Sequence, residues 1–211
     1  MELTIHSQAL GGSDLQAEFE QADKPEGLII LSHNAGGDMN NKIIKALAKA
    51  CLERNISALR YNFHYVGGVG SEAAEWDDIA REIEAVYEKA LELSNGPFYV
   101  GGKSLGSMAS LSIASKHPEI KALGLFAIPK GMLEQYLDLS MLTHIQSPVY
   151  IYHGTEDRFG TPNEIEMFLQ MHLGQNLHMI PMNDRGHGFE EQNSDEENQK
   201  LAEEMVALML R

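Results

Sequence analysis

The sequence predicts an α/β fold in which a mostly parallel, eight-stranded sheet carries helices on both faces. Apolar runs typical of strands buried on both faces, such as 27–31, alternate with segments whose apolar residues recur at helical spacing, such as 40–55 and 76–90. Only the first two strands, 3–6 and 15–20, alternate apolar with polar residues, which indicates a hairpin with one face in water.

The remaining elements follow in the same alternation. After the first helix and the glycine-rich segments, further strands are predicted at 56–61, 98–100, 122–128, 149–153 and 177–180. Two late helices begin at capping boxes, because Thr161 precedes Pro162 and Glu164, and Ser194 stands three residues before Glu197. No linker or repeat interrupts this order, so we expect one α/β domain over 1–211.

Composition limits the classes of partner. The chain has 211 residues, of which 43% are hydrophobic and 22% are charged, as in a soluble globular protein. Its net charge of −15 would repel nucleic acid and anionic membrane surfaces, so we expect neither as a partner. A small molecule is the expected partner, and the sequence leaves the oligomeric state open.

The sequence favours a cytoplasmic location. Residues 1–6 show no basic and apolar signal-peptide pattern, and no apolar run reaches membrane-spanning length. Cys51 is the only cysteine, so no intrachain disulfide forms, which suits a reducing compartment. Cys51 lies on the apolar face of a predicted helix, and we expect it in the core.

The stretch 98–107 carries the strongest functional signal. An apolar run ends in glycines, presents Gly102-x-Ser104-x-Gly106 and continues into a helix of small residues. A strand that leads through a sharp turn into a helix, with G-x-S-x-G at the turn, is the nucleophile elbow of α/β-hydrolases. The turn exposes the serine hydroxyl, and the two glycines let strand and helix approach each other.

Other glycine patterns and metal sites are disfavoured. A P-loop ending in Gly102-Lys103-Ser104 would need glycine at position 97, which is Pro97. The G-x-G-x-x-A match at 68–73 lies several residues after its strand, whereas a dinucleotide site needs an immediate turn. No histidine, cysteine and carboxylate cluster has metal-ligand spacing, so we expect no cofactor and no metal.

Four polar clusters come directly after predicted strands: the loop 33–38, Ser104, Asp157 and His187. The carboxyl ends of the strands form the ligand crevice of an open α/β sheet, so we expect these clusters to converge. Their chain order of serine, acid and histidine is the order of α/β-hydrolases.

The chemistry suggests a role for each residue. Ser104 would attack an acyl carbon, and His187 would take its proton and return it to the leaving group. Asp157 would hold the imidazole in the correct tautomer. The main-chain N–H groups of Leu105 and Ala35 would donate to the oxyanion.

Other residues near these clusters have structural interpretations. We expect His33 to hold its loop, His153 to be structural and Lys103 to pack beside the elbow without a role. The segment 129–146 has apolar residues at mixed spacing, which favours a crossover packed on the core over a small cap.

The stretch 33–40 resembles the H-G-A-G-G-D-M-N loop of small dienelactone-hydrolase-like α/β-hydrolases, and the stretches 60–63 and 153–162 are similar to that group too. The resemblance implies a serine hydrolase fold with an ester or acyl substrate. Dienelactone hydrolases use cysteine at the elbow, where this chain has Ser104. Asn34 replaces the usual loop glycine, and asparagine tolerates a left-handed backbone better than most residues, so the loop can accommodate this replacement.

We therefore predict a serine hydrolase that cleaves a small ester or thioester through an acyl-enzyme. A catalytically silent binding or scaffold protein of the same fold and a small peptidase are the alternatives.

Overall fold

The computed structural model describes residues 1–8, 12–67 and 75–211. The eight strands are β1 Glu2–Ser7, β2 Ser13–Glu20, β3 Gly27–Ser32, β4 Ile56–Tyr61, β5 Phe98–Lys103, β6 Leu123–Phe126, β7 Val149–Gly154 and β8 Leu177–Met182. The α-helices are α1 Lys42–Leu52, α2 Trp76–Leu93, α3 Leu105–Lys116, α4 Lys130–Tyr136, α5 Pro162–Leu173, α6 Phe189–Gln192 and α7 Asp195–Met209. The glycine-rich match at 68–73 lies outside the described residues.

All eight strands belong to one sheet, in the order β1-β2-β4-β3-β5-β6-β7-β8. Strand β2 runs antiparallel to its neighbours β1 and β4, and every other neighbouring pair is parallel. The predicted mostly parallel eight-stranded sheet is confirmed.

Helices cover both faces of this sheet, because its central strands are apolar on both sides. All six residues of β3 are buried, and they alternate between two cores. Leu28 and Ile30 pack with residues of α2, α3 and α5, whereas Ile29 and Leu31 pack with residues of α1 and α7. Within the described ranges, none of the helices combines the length and apolar character needed to cross a membrane.

The register of the parallel strands brings their carboxyl ends to one edge. Ser32 at the end of β3 pairs with Gly102 of β5, and Gly154 at the end of β7 pairs with Met182 of β8. The loops that follow these four strands therefore start side by side, which places the predicted site residues at a common edge.

The segment between β6 and β7 is a crossover that packs on the core. It contains α4 and a 3₁₀ helix over Leu139–His144, and the latter packs against α3 and α5. The side chains of Leu133 and Leu142 are completely buried in this segment. Its apolar residues are thus engaged with the body of the protein, as predicted for a crossover.

Candidate active site

Ser104 forms a sharp turn between β5 and α3. Its φ of 55° and ψ of −115° lie in a region that residues with a side chain rarely adopt. The Ser104 N–H donates to the Phe126 carbonyl over 2.9 Å, which ties the turn to the end of β6. The Ser107 hydroxyl oxygen lies 2.9 Å from both the Phe126 and the Gly102 carbonyl oxygens. These contacts hold the strained turn, and the part played by Ser107 was not predicted.

The two glycines of the motif stand where no side chain fits. A Cβ atom at Gly102 would lie 2.3 Å from the Gly106 carbonyl, and one at Gly106 would lie 2.0 Å from the Ser32 carbonyl oxygen. Both contacts are far below van der Waals distance. The glycines therefore permit helix α3 to start directly against β5 and β3.

The structure brings Ser104, His187 and Asp157 into one line of hydrogen bonds. The Ser104 hydroxyl oxygen is 2.9 Å from Nε2 of His187. Nδ1 of the same ring is 2.8 Å from Oδ2 of Asp157. The Asp157 side chain is completely buried, whereas 17% of the His187 side chain remains exposed. The partly exposed imidazole thus connects a buried carboxylate with the Ser104 hydroxyl.

Asp157 is held as an anion. Burial alone would raise its pKa, but hydrogen bonds from the His187 ring and from the Phe159 N–H hold that pKa below its usual value. An ionised carboxylate only accepts hydrogen bonds, so Nδ1 of His187 carries the hydrogen. Nε2 is then free to accept the proton of the Ser104 hydroxyl.

His153 packs behind Asp157. Its Nε2 is 2.8 Å from the Gly160 carbonyl oxygen and 3.5 Å from Oδ2 of Asp157. Burial lowers the pKa of His153, so the ring is neutral and donates from Nε2 to Gly160. This contact fixes the loop that carries the acid, in agreement with the structural role predicted for His153.

The acid loop is also joined to the histidine loop. The Glu156 N–H donates to the Arg185 carbonyl over 2.9 Å, and the Asp184 N–H donates to the Thr155 hydroxyl over 3.0 Å. A Cβ at Gly154 would lie 2.1 Å from the same Arg185 oxygen. The two loops therefore approach each other as closely as main chains can.

His33 holds the loop that follows β3. The ring is completely buried, with Nε2 accepting from the Phe63 N–H over 3.1 Å and Nδ1 donating to the Asn34 carbonyl over 2.7 Å. Burial lowers the pKa of His33 to about 4, so the ring is neutral at physiological pH. The structure places His33 in the role predicted for it.

Asn34 does not use the left-handed backbone that asparagine tolerates. Asn34 is not among the non-glycine residues with positive φ. Its carbonyl accepts the Gly37 N–H over 3.0 Å, and its side-chain oxygen accepts from Nδ2 of Asn41 over 3.1 Å. The loop forms a turn over 34–37 that needs no left-handed residue at its first position.

Ala35 and Leu105, the predicted oxyanion donors, follow neighbouring strands. Ala35 is the second residue of the turn over 34–37, and Leu105 is the first residue of α3. A main-chain N–H in the first turn of a helix has no partner within the helix. Because β3 and β5 are neighbours in the sheet, both N–H groups start from adjacent strand ends.

Lys103 packs beside the elbow as predicted, and it forms a buried ion pair that the sequence did not predict. Its Nζ lies 2.5 Å from Oε1 of Glu190, and both side chains are only 3% exposed. Glu190 belongs to α6 and stands three residues after His187. The sequence does contain one indication of this pair, because a lysine at the end of an otherwise buried strand requires a buried partner of opposite charge.

The structure offers no metal site in the described part of the chain, where no three histidine, cysteine or carboxylate side chains are grouped to hold an ion. Cys51 is buried in α1, and burial raises the pKa of its thiol to about 12. Such a thiol is not a nucleophile at neutral pH. Ser104 is therefore the nucleophile candidate that the site presents.

These features define a hydrolase of the α/β class, and sequence comparison agrees. A family model described as an alpha/beta hydrolase domain matches residues 25–211. The chain belongs to the alpha/beta hydrolase family.

Solved structures share the fold across nearly the whole chain. An alpha-beta serine hydrolase homologue from Coxiella burnetii is 22% identical, with a TM-score of 0.79 and coverage of 97% of this chain and 96% of that one. The esterase domain of a Rhodothermus marinus protein is 15% identical, with a TM-score of 0.73 and coverage of 99% and 97%. Dienelactone hydrolase from Anabaena variabilis is also 15% identical, with a TM-score of 0.73 and the same coverage. The resemblance to dienelactone-hydrolase-like proteins is thereby confirmed at the level of fold.

Proposed function

We propose that this protein is a serine hydrolase that cleaves a small ester or thioester through an acyl-enzyme. The observation that carries the proposal is the hydrogen-bonded chain from Ser104 through His187 to Asp157, which ends in a nucleophile elbow. A hydroxyl is a weak nucleophile, and the neighbouring imidazole supplies the base that it needs.

The reaction proceeds in two halves. The Ser104 oxygen attacks the acyl carbon while Nε2 of His187 takes the hydroxyl proton. The main-chain N–H groups of Leu105 and Ala35 donate to the oxyanion of the tetrahedral intermediate. The carbon–oxygen or carbon–sulfur bond then breaks, and the leaving group receives the proton from His187. Water, deprotonated by His187, attacks the acyl carbon, the bond to the Ser104 oxygen breaks, and His187 returns the proton to that oxygen as the acid leaves.

The proposed substrate class follows from the neighbours and from the crossover. An esterase domain and a serine hydrolase homologue share the fold, which supports ester chemistry at this site. The segment from α4 through Leu139–His144 is packed on the core, so it offers little chain to enclose a long acyl group. Short acyl groups therefore suit the site best.

Labelling with a fluorophosphonate probe tests the proposal. We expect the wild-type protein to react covalently and Ser104→Ala to lose both labelling and hydrolysis while it stays folded. Cys51→Ala is the matched control, since it removes the buried thiol and leaves the elbow intact. Full labelling of Ser104→Ala would refute the assignment, and an unreactive, inactive wild type would favour a binding or scaffold protein. A panel of esters, thioesters and amides distinguishes an esterase or thioesterase from a peptidase.

A further inference from the structure

A buried charged network lies beneath the proposed site. The ion pair between Lys103 and Glu190 is almost completely shielded from solvent. Oε1 of Glu190 also accepts from Nδ2 of Asn41 over 3.0 Å. Oε2 of Glu190 is buried and has no hydrogen-bond partner in the described part of the chain.

Asn41 links this ion pair to the loop that contains Ala35. Its Nδ2 also donates to Oδ1 of Asn34 over 3.1 Å, so the two amide hydrogens go to Glu190 and to Asn34. Its Oδ1 accepts from the N–H groups of Ile43 and Ile44 and caps α1. The side chain therefore has every polar group engaged.

The network touches the elbow, the histidine segment and the Ala35 loop, which are three of the four segments that contribute to the proposed site. Lys103 directly precedes the nucleophile, and Glu190 follows His187 by three residues. Asn34 directly precedes Ala35, whose N–H would be an oxyanion donor. Burying an ion pair carries a large desolvation penalty, and an apolar pair of similar size often serves stability equally well. A role in fixing geometry accounts for this arrangement better than a role in stability alone.

We propose that Asn41 and Glu190 are positioning residues that fix the Ala35 loop relative to the elbow, so that both oxyanion donors face one point. The inference rests on the proposed hydrolase function. An oxyanion hole acts on charge that develops in the transition state, so loss of alignment lowers kcat and leaves KM nearly unchanged.

Asn41→Ser isolates this role, because serine caps a helix about as well as asparagine but has no Nδ2 donors. We expect kcat for a short p-nitrophenyl ester to fall by about tenfold or more, since removing one oxyanion donor costs roughly 10²–10³-fold. We expect KM to change less than about twofold. Asn40→Ser is the control, because Asn40 is exposed and does not contact Glu190. The kcat of this variant should equal that of the wild-type protein.

Hydrogen exchange of the Gly37 amide gives a readout that does not depend on activity. This amide donates to Asn34, so it should exchange faster in Asn41→Ser than in wild type or Asn40→Ser. An unchanged kcat, or a raised KM at constant kcat, in an active Asn41→Ser protein would overturn the inference while the hydrolase function stands. If the wild-type protein shows no probe labelling, the proposed hydrolase function is refuted. The positioning of the loop is then tested by hydrogen exchange alone, and unchanged exchange of the Gly37 amide in Asn41→Ser would overturn it.

Discussion

Nδ1 of His187 lies 2.8 Å from Oδ2 of Asp157, while Oδ1 of the same carboxylate accepts the Phe159 N–H over 2.9 Å. Both oxygens are thus engaged, and the carboxylate has one orientation available. The neighbouring Glu156 is exposed, and its main-chain N–H is bonded to Arg185. The geometry therefore favours Asp157 over Glu156 as the residue that orients the imidazole.

Exchanging the two acids for their amides tests that choice. Asp157→Asn presents an amide that can stabilise the wrong tautomer of His187, and kcat should fall by roughly 10⁴-fold with little change in KM. Glu156→Gln should retain wild-type kcat. Steady-state kinetics on the same ester measure both variants, and a loss of activity in Glu156→Gln with an active Asp157→Asn would move the role to Glu156.

Gly154→Ala should damage the contact between the acid loop and the histidine loop. The new Cβ would lie 2.1 Å from the Arg185 carbonyl oxygen, so the main chain must shift. We expect a loss of about 1–3 kcal/mol in the free energy of unfolding. A fall in kcat should accompany it, because the shifted loop carries His187.

Gly131→Ala is the control for that variant. Gly131 lies in α4, where an added Cβ meets nothing within 4 Å, and alanine favours a helix by about 0.5–1 kcal/mol. Urea unfolding should therefore show equal or higher stability. Equal stability of the two alanine variants would contradict the close approach at Gly154.

Acyl-chain length should decide the rate on simple esters. Leu133 and Leu142 are buried in the crossover between β6 and β7, so this segment is not free to fold over a long chain. Rates on p-nitrophenyl esters should decrease from acetate to longer acyl groups. A preference for long chains, measured as kcat/KM, would mean that the crossover moves to enclose the substrate.

Acid should destabilise the protein through His33. The pKa of His33 is about 4 in the folded protein, whereas the ordinary pKa of a histidine, expected in the unfolded chain, is 6.5. Between these pH values the unfolded chain therefore binds a proton that the folded protein does not. The free energy of unfolding therefore falls as pH decreases through this window. His33 accounts for about 2 kcal/mol between pH 7 and pH 5.

Urea unfolding of wild type and His33→Gln at pH 7 and pH 5 measures this contribution. The variant lacks the titrating ring, so its stability should decrease less between the two pH values, although it is less stable at pH 7. A decrease of the same size in both proteins would show that folding does not lower the pKa of His33.

The sequence was most informative where a local pattern determines the structure. The buried strands are apolar runs, and Ser104, Asp157 and His187 each follow such a run, so their convergence could be predicted. Contacts between distant segments leave no local pattern. The Lys103–Glu190 pair depends on how α6 packs, and the conformation of Asn34 depends on a hydrogen bond from Asn41. Neither could be predicted from the sequence for that reason.

The hydrogen bonds of the site connect parts of the chain that are remote from one another. Ser104 and His187 are 83 residues apart, and Asn41 and Glu190 are 149 residues apart. Closing such long loops costs entropy, which the packing of the whole domain must offset. The site therefore exists only while these remote segments are docked on one another. Mild denaturation should correspondingly abolish hydrolysis while much of the secondary structure persists.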